Sequence, residues 1–179
     1  LNKDHSKEVK NLMKRGLDCW VSPETKESMK LTGHRIFCYA ALETFNIGTF
    51  RIFPFKLQHD VKNHGFIIKS VNGEKLVYIT DTYYTEWVFA DVDYYLVECS
   101  YYASILDENL KADTVTHDYA KRLKESHFEL ENVKEFFRKT DTEKTKQIYL
   151  LHLSEKNSDE KLFKEEIIKI TGKPVEVCI

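Results

Sequence analysis

Five of the seven histidines stand where a strand or helix is expected to end, and that placement is the first sign of chemistry in this sequence. His5 follows Asp4 directly. His59 precedes Asp60 at the close of a strand-like run, Thr49 to Gln58, and His64 opens the next strand. His127 lies between two helical segments, and His152 ends the apolar run Gln147 to Leu151. Asp81 closes the run Leu76 to Thr80 in the same way. Strands that run out into His or Asp place ligands on one rim of a sheet, where α/β folds build their sites. Imidazole and carboxylate together suit Zn²⁺ and related borderline ions. Any one of these histidines taken singly is equally a loop residue on the surface, and His34 and His117 are read as that.

The elements that must carry these residues follow from periodicity and punctuation. Val9, Leu12 and Met13 share a face in a helix from Asp4 to Arg15 that Gly16 stops. Leu17 to Val21 is a short strand, and Ser22-Pro23 starts a second helix running to about Leu31. A β-rich stretch follows, with Arg35 to Ala40, Leu42 to Asn46 and Thr49 to Gln58 as strands and a turn at Ile47-Gly48. Asn72-Gly73 marks a hairpin between Gly65 to Val71 and Lys75 to Thr80. Tyr94 to Glu98 is an apolar strand. Helices are expected at Ala112 to Glu125 and Leu130 to Lys139, then a strand at Gln147 to Leu151. A helix from Asp159 to Ile170 closes at Gly172, and Pro174 to Cys178 is a last strand. Strands in the middle with α/β alternation at the end predict one α/β layered domain across residues 1–179.

Composition narrows the function classes. With 27 Lys plus Arg against 29 Asp plus Glu, the net charge of -2 excludes a globally basic nucleic-acid footprint, though not a local patch. Aromatic residues at 13% argue against disorder. No run nears the roughly 18 apolar residues of a membrane helix. Cys19, Cys38, Cys99 and Cys178 are scattered without a C-x-x-C pair, which reads as buried free thiols in a reducing cytosol.

Four segments taken together carry a resemblance. Asp4-His5-Ser6-Lys7, then Phe55-Lys56-Leu57-Gln58-His59-Asp60, then Tyr78-Ile79-Thr80-Asp81-Thr82, then Leu151-His152-Leu153-Ser154 resemble, in order and relative spacing, the metallo-β-lactamase-fold hydrolases. Gly65-Phe66, Glu98-Cys99 and the run Leu153 to Ser158 are similar to one bacterial and phage branch, that of single-strand-directed exonucleases linked to cell-wall regulation. The resemblance implies an αββα sandwich with two metal ions, usually Zn²⁺ with Mn²⁺ as an alternative, at one sheet rim. It implies that Asp4 and His5 end a His-x-His-x-Asp-His motif, that His59 is a later ligand of the first metal, that Asp81 bridges both ions and that His152 completes the second site. It makes Asp4 and His127 the catalytic pair, with His127 directed at the scissile phosphate.

The motif's opening is altered. Counting back from Asp4, the second His falls on Asn2 and the first before Leu1, so the resemblance implies a fold incomplete at its N-terminus and a weak first metal site. The expected activity is metal-dependent hydrolysis of a phosphodiester in nucleic acid, through a metal-bound hydroxide. The alternatives are a hydrolase of a small ester, thioester or cyclic phosphodiester, and a non-catalytic relative. Single-stranded nucleic acid is the expected partner, the cytoplasm the expected compartment, and self-association is expected of an uncovered sheet.

The remaining candidates have a structural and a functional reading each. Ser126 and Glu129 form a capping box for the helix after His127, which leaves a second role for that histidine open. His64 and Ser100 are candidate substrate-binding residues in the pocket wall. Tyr83, Tyr84, Trp87, Tyr94, Tyr95, Tyr101 and Tyr102 either stack on bases or pack an apolar face, with packing favoured. Cys99 lacks the base and the electropositive setting of a reactive thiol.

Overall fold

The computed structural model describes residues 6–178. In chain order the elements are α1 (Val9–Lys14), β1 (Cys19–Val21), α2 (Pro23–Ser28), β2 (Ile36–Cys38), β3 (Phe45–Ile47), β4 (Phe50–Leu57), β5 (Asn63–Lys69) and β6 (Lys75–Ile79). After these come β7 (Tyr94–Glu98), α3 (Ala103–Lys111), α4 (His117–Ser126), α5 (Leu130–Lys139), β8 (Gln147–Leu151), α6 (Glu160–Thr171) and β9 (Val175–Val177). β1 and β2 pair in parallel as a small sheet, and the other seven strands lie in the order β3-β4-β5-β6-β7-β8-β9.

The large sheet changes character halfway across. β3 to β6 pair antiparallel, through the hairpins that Gly48 and Gly73 allow. Both glycines have positive φ, 56° and 86°, which a residue with a Cβ adopts only at a cost. From β6 onward the neighbours are parallel, with Ile79 opposite Val97 and Glu98 opposite Leu151. Parallel strands end at the same rim. The residues just past Ile79, Val97 and Leu151 are therefore brought to one edge by register alone.

Side-chain alternation fixes which face is core. Phe55, Val77, Ile79, Tyr95, Val97, Ile148 and Leu150 point one way and are fully buried. They pack with Val133, Phe136 and Phe137 of α5 and Phe163 and Ile167 of α6 in one apolar cluster. The helices present matching stripes at helical spacing. The opposite face, with Phe66, Tyr78, Leu96 and Tyr149, is half-buried. No helix among the described residues is long and apolar enough to cross a membrane.

Gly65 shows how tightly β4 and β5 approach. A Cβ there would overlap the Phe55 ring and lie 2.9 Å from the Tyr78 carbonyl oxygen. Phe55 is fully buried and has nowhere to go. Gly65→Ala is expected to cost about 1–3 kcal/mol by overpacking, read as a lowered urea midpoint with unchanged slope. An unchanged midpoint would contradict this packing.

Four expectations need correction. The helix expected from Ala112 is broken: α3 ends at Lys111 and α4 starts at His117, with the Thr116 side chain accepting from the Tyr119 N–H. α3 went unread because its first residue follows Tyr102, which makes no side-chain cap. Ser126 and Glu129 do not form a capping box. Ser126 ends α4, and Glu129 is itself the cap of α5, accepting from the N–H groups of Glu131 and Asn132 and also of Ala103. Leu42 is not in a strand but in a left-handed turn, with φ 66°. Of the four free cysteines, Cys19 and Cys99 are buried but Cys38 and Cys178 are exposed.

Candidate metal centre

Asp81, Glu98, His127 and His152 meet at the rim where β6, β7 and β8 end. One ligand atom from each lies within 4.8 Å of all the others. Glu98 is the last residue of β7, while Asp81 and His152 follow β6 and β8 by one or two residues. Asp81 and His152 both adopt left-handed backbone, with φ 53° and 61°. Such a conformation costs a non-glycine residue of order 1 kcal/mol or more and is characteristic of functional turns. The strand ends here by a sharp turn that keeps the side chain at the rim. Asn63 of β5 braces the turn, its side-chain amide donating to the carbonyls of Thr80 and Asp81 at 2.7 Å each.

Glu98 organises the two imidazoles. It is fully buried, and its Oε1 lies 2.6 Å from His127 Nδ1 and 3.2 Å from His152 Nδ1. Its other oxygen accepts from the Thr82 N–H at 3.2 Å. A carboxylate only accepts, so this geometry assigns the proton of each ring to Nδ1. Both Nε2 lone pairs are then turned outward, in the tautomer that ligates metal. The rings stack 5.1 Å apart at 21°. His152 Nε2 lies 3.9 Å from Asp81 Oδ1. Two ligand atoms at about 2.0–2.1 Å from a tetrahedral ion are roughly 3.4 Å apart, so a small approach of Asp81 and His152 would hold one ion between them. A carboxylate and an imidazole are donors that fit a borderline divalent ion, and Glu98 and His127 stand within reach beside them.

His59 stands beside this group rather than in it. Its ring centre is 6.1 Å from that of His127. Its Nδ1–H donates to the Ser126 carbonyl at 3.0 Å, and its Nε2 lies 3.0 Å from Asp60 Oδ1. The carbonyl at the end of α4 thus fixes His59 just before the chain delivers His127. Asp4 and His5 lie outside the described residues.

Two hollows flank the centre. The larger, about 680 Å³, includes Ser100, Tyr119, Arg122, His127, His152 and Ser154 in its wall. The smaller, about 340 Å³, includes Tyr39, His59, His64, Tyr78 and Asp81. Asp81 therefore faces one hollow, and His127 and His152 the other. In the smaller hollow Tyr39 Oη is 3.4 Å from His64 Nδ1. Burial lowers the pKa of the His64 imidazole from its usual value, and burial with the charge of Glu24 pushes the Tyr39 phenol up to about 12. Both groups are thus held in their neutral forms near neutral pH. Ser100 is buried in the larger hollow, its carbonyl accepting from the Ser154 N–H at 2.8 Å.

The sequence reading brought Asp81, His152 and His127 to one rim but gave Glu98 no role. Its signal was present: a glutamate closing the apolar run Tyr-Tyr-Leu-Val-Glu, level with Asp81 and His152. The aromatic residues mostly pack. Trp87 sits against Phe53 and Phe55, and Tyr95 against Phe136 and Phe137. Cys99 is fully buried, and burial raises its thiol pKa well above the usual value, so it is no nucleophile. His34 and His117 are exposed.

No family model matches the sequence, and no curated protein matches it. Solved structures do. The metallo-β-lactamase fold protein YhfI from Bacillus subtilis superposes with a TM-score of 0.69 at 14% identity, over 98% of this chain and 70% of that one. A variant of the β-hydroxylase CmlA, an enzyme of Streptomyces venezuelae, superposes with a TM-score of 0.52 at 11% identity, over 80% of this chain and 32% of that one. Identities this low speak to the fold alone. The strand order, the helices on the seven-stranded sheet and these neighbours together show that this chain has the metallo-β-lactamase fold.

Proposed function

We propose that this protein is a metal-dependent hydrolase acting on a phosphodiester, with nucleic acid the substrate. The observation that carries the reading is the buried Glu98 carboxylate holding His127 and His152 by Nδ1, next to Asp81, at the open ends of three parallel strands. Asp81 and His152 would hold the ion. Bound there, a divalent ion supplies Lewis acidity and a nucleophile at neutral pH.

The chain's own groups do the rest. Glu98 fixes the tautomer and aim of both rings. His127, held through Nδ1, has Nε2 left to move a proton at the leaving oxygen from the wall of the larger hollow. His59 lines the smaller hollow together with Asp81, which supports a role for it at a second ion; the roles of Asp4 and His5 rest on the motif resemblance alone. The narrower assignment, to the single-strand-directed exonuclease branch, rests on the motif resemblance. A small ester, thioester or cyclic phosphodiester is the second reading, favoured by the size of the 680 Å³ hollow, which suits a drug-sized or nucleotide-sized molecule. The fold itself does not choose among them.

The test is turnover of single-stranded DNA, RNA and bis(p-nitrophenyl) phosphate with added Zn²⁺ or Mn²⁺. Activity is expected to need the metal and to vanish with a chelator. His127→Ala should keep its metal and lose about 10²-fold in turnover. Activity that survives chelation would contradict the reading.

A further inference from the structure

The larger hollow extends from the metal centre along one face of α4. Tyr119, Arg122, Leu123 and Ser126 recur at helical spacing, so a single face runs from the wall of the hollow to the His59 anchor. Arg122 lies on that face, about 6 Å along the helix axis from Ser126. It is exposed, and among the described residues it has no ion pair or side-chain hydrogen bond, although Asp118 and Glu125 sit at helical neighbour positions. Lys134 and Lys146, by contrast, are each held between two carboxylates: Glu131 and Glu166, and Glu74 and Asp93. Asp113 and Glu155 also line the hollow, as does Lys156, so its charge is mixed, and Arg122 is the guanidinium among its lining residues.

The wall opposite α4 is polar and preset. Asn157 is fully buried and donates to Ser154 Oγ at 3.1 Å, and Ser154 Oγ lies 3.5 Å from Tyr119 Oη. Tyr119 is 43% exposed, which leaves part of the residue open for contact with a flat group. The hollow thus has a reactive end at His127 and His152, an apolar and aromatic middle from Val115, Tyr119 and Leu153, and an unpaired guanidinium.

We propose that Arg122 binds a second phosphate of the substrate, one nucleotide unit from the scissile one, making the hollow a nucleotide-sized subsite. This rests on the phosphodiester reading and adds to it the substrate class: a nucleotide or strand end carrying two phosphates, with the sugar and base between them. Arginine suits this role because its planar fork meets phosphate with paired N–H donors.

Calorimetric binding of thymidine 3′,5′-bisphosphate and thymidine 5′-monophosphate to the full chain tests it. Charge-assisted hydrogen bonds of this kind amount to roughly 10–100-fold in affinity. The bisphosphate should bind tighter by that factor. Arg122→Ala should abolish the preference and Arg122→Lys keep part of it, read as the ratio of bisphosphate to monophosphate affinity. Arg122 is exposed, so the substitution leaves the core intact, which an unchanged thermal midpoint would check. An equal preference in Arg122→Ala, or none in the wild type, overturns the proposal. Turnover of bis(p-nitrophenyl) phosphate reports separately on the hydrolase reading. A bisphosphate preference without turnover upholds the subsite and removes the enzyme, and turnover without the preference does the reverse.

Discussion

Replacing Asp81 by Asn is expected to lower metal-dependent turnover by about 10³-fold while leaving the fold in place. Asn tolerates left-handed backbone nearly as well as Asp, so the φ of 53° at this position is not the reason for the loss. The turn keeps its brace from Asn63, which reaches main-chain carbonyls and not the carboxylate. What changes is one negative charge 3.9 Å from His152 Nε2 and 3.9 Å from His127 Nδ1. A carboxylate in this place contributes several kcal/mol to holding and polarising around a cation, and about 4 kcal/mol corresponds to a factor of roughly 10³ in rate. Turnover of bis(p-nitrophenyl) phosphate with saturating Mn²⁺ measures it, with circular dichroism as the control on folding. Wild-type turnover in a folded Asp81→Asn protein would sink the proposed role of this residue.

Glu98→Gln should have the second-largest effect, and of a different kind. Gln has the same shape, but one of its two terminal atoms is a donor. The single oxygen of Glu98 now receives two imidazole N–H groups, while the second oxygen receives the Thr82 N–H. Gln cannot accept on both sides, so either Thr82 or the histidine pair faces an N–H. Loss of a supporting carboxylate of this type costs about 10–100-fold in metal affinity. An unsatisfied buried group adds about 1–3 kcal/mol to the loss of stability. Zinc affinity from competition with a chromogenic chelator, and urea unfolding of metal-free protein, separate the two contributions. Unchanged values in both would show that Glu98 does not orient the rings.

β7 and β8 were legible to the residue, since Tyr94 to Glu98 and Gln147 to Leu151 are short apolar runs with clear ends. Gly172, with φ 65°, closes α6 as its position suggested. The break between α3 and α4 had a signal in Asp113, Thr114, Val115 and Thr116, a run of poor helix formers ending in the residue that caps α4, and the apolar residues on either side masked it. Glu98 was overlooked as a functional residue for a deeper reason. Its role depends on register, with Glu98 opposite Leu151 and one residue from His152, and no periodicity within one strand reveals what stands beside it on the next. The same holds for His59, whose tie to Ser126 joins positions 67 residues apart.

The charge balance shows the same limit. The net charge of -2 excludes a uniformly basic surface, yet an unpaired Arg122 at the metal centre's own hollow is invisible to a sum over the chain. Local electrostatics come from which cations are already neutralised. Lys134 and Lys146 are, their pKa values raised by hydrogen bonds to the carboxylates that hold them.

The most direct test of the central claim is the metal content of the site. Equilibrium dialysis of the full chain against Zn²⁺, with the bound ion measured by elemental analysis, should find at least one ion per chain. His152→Ala should weaken that ion by about 10²-fold or more, because it removes one of the two atoms proposed to hold it directly. No ion bound by the wild-type chain, or equal binding after His152→Ala and Asp81→Asn, would contradict the account.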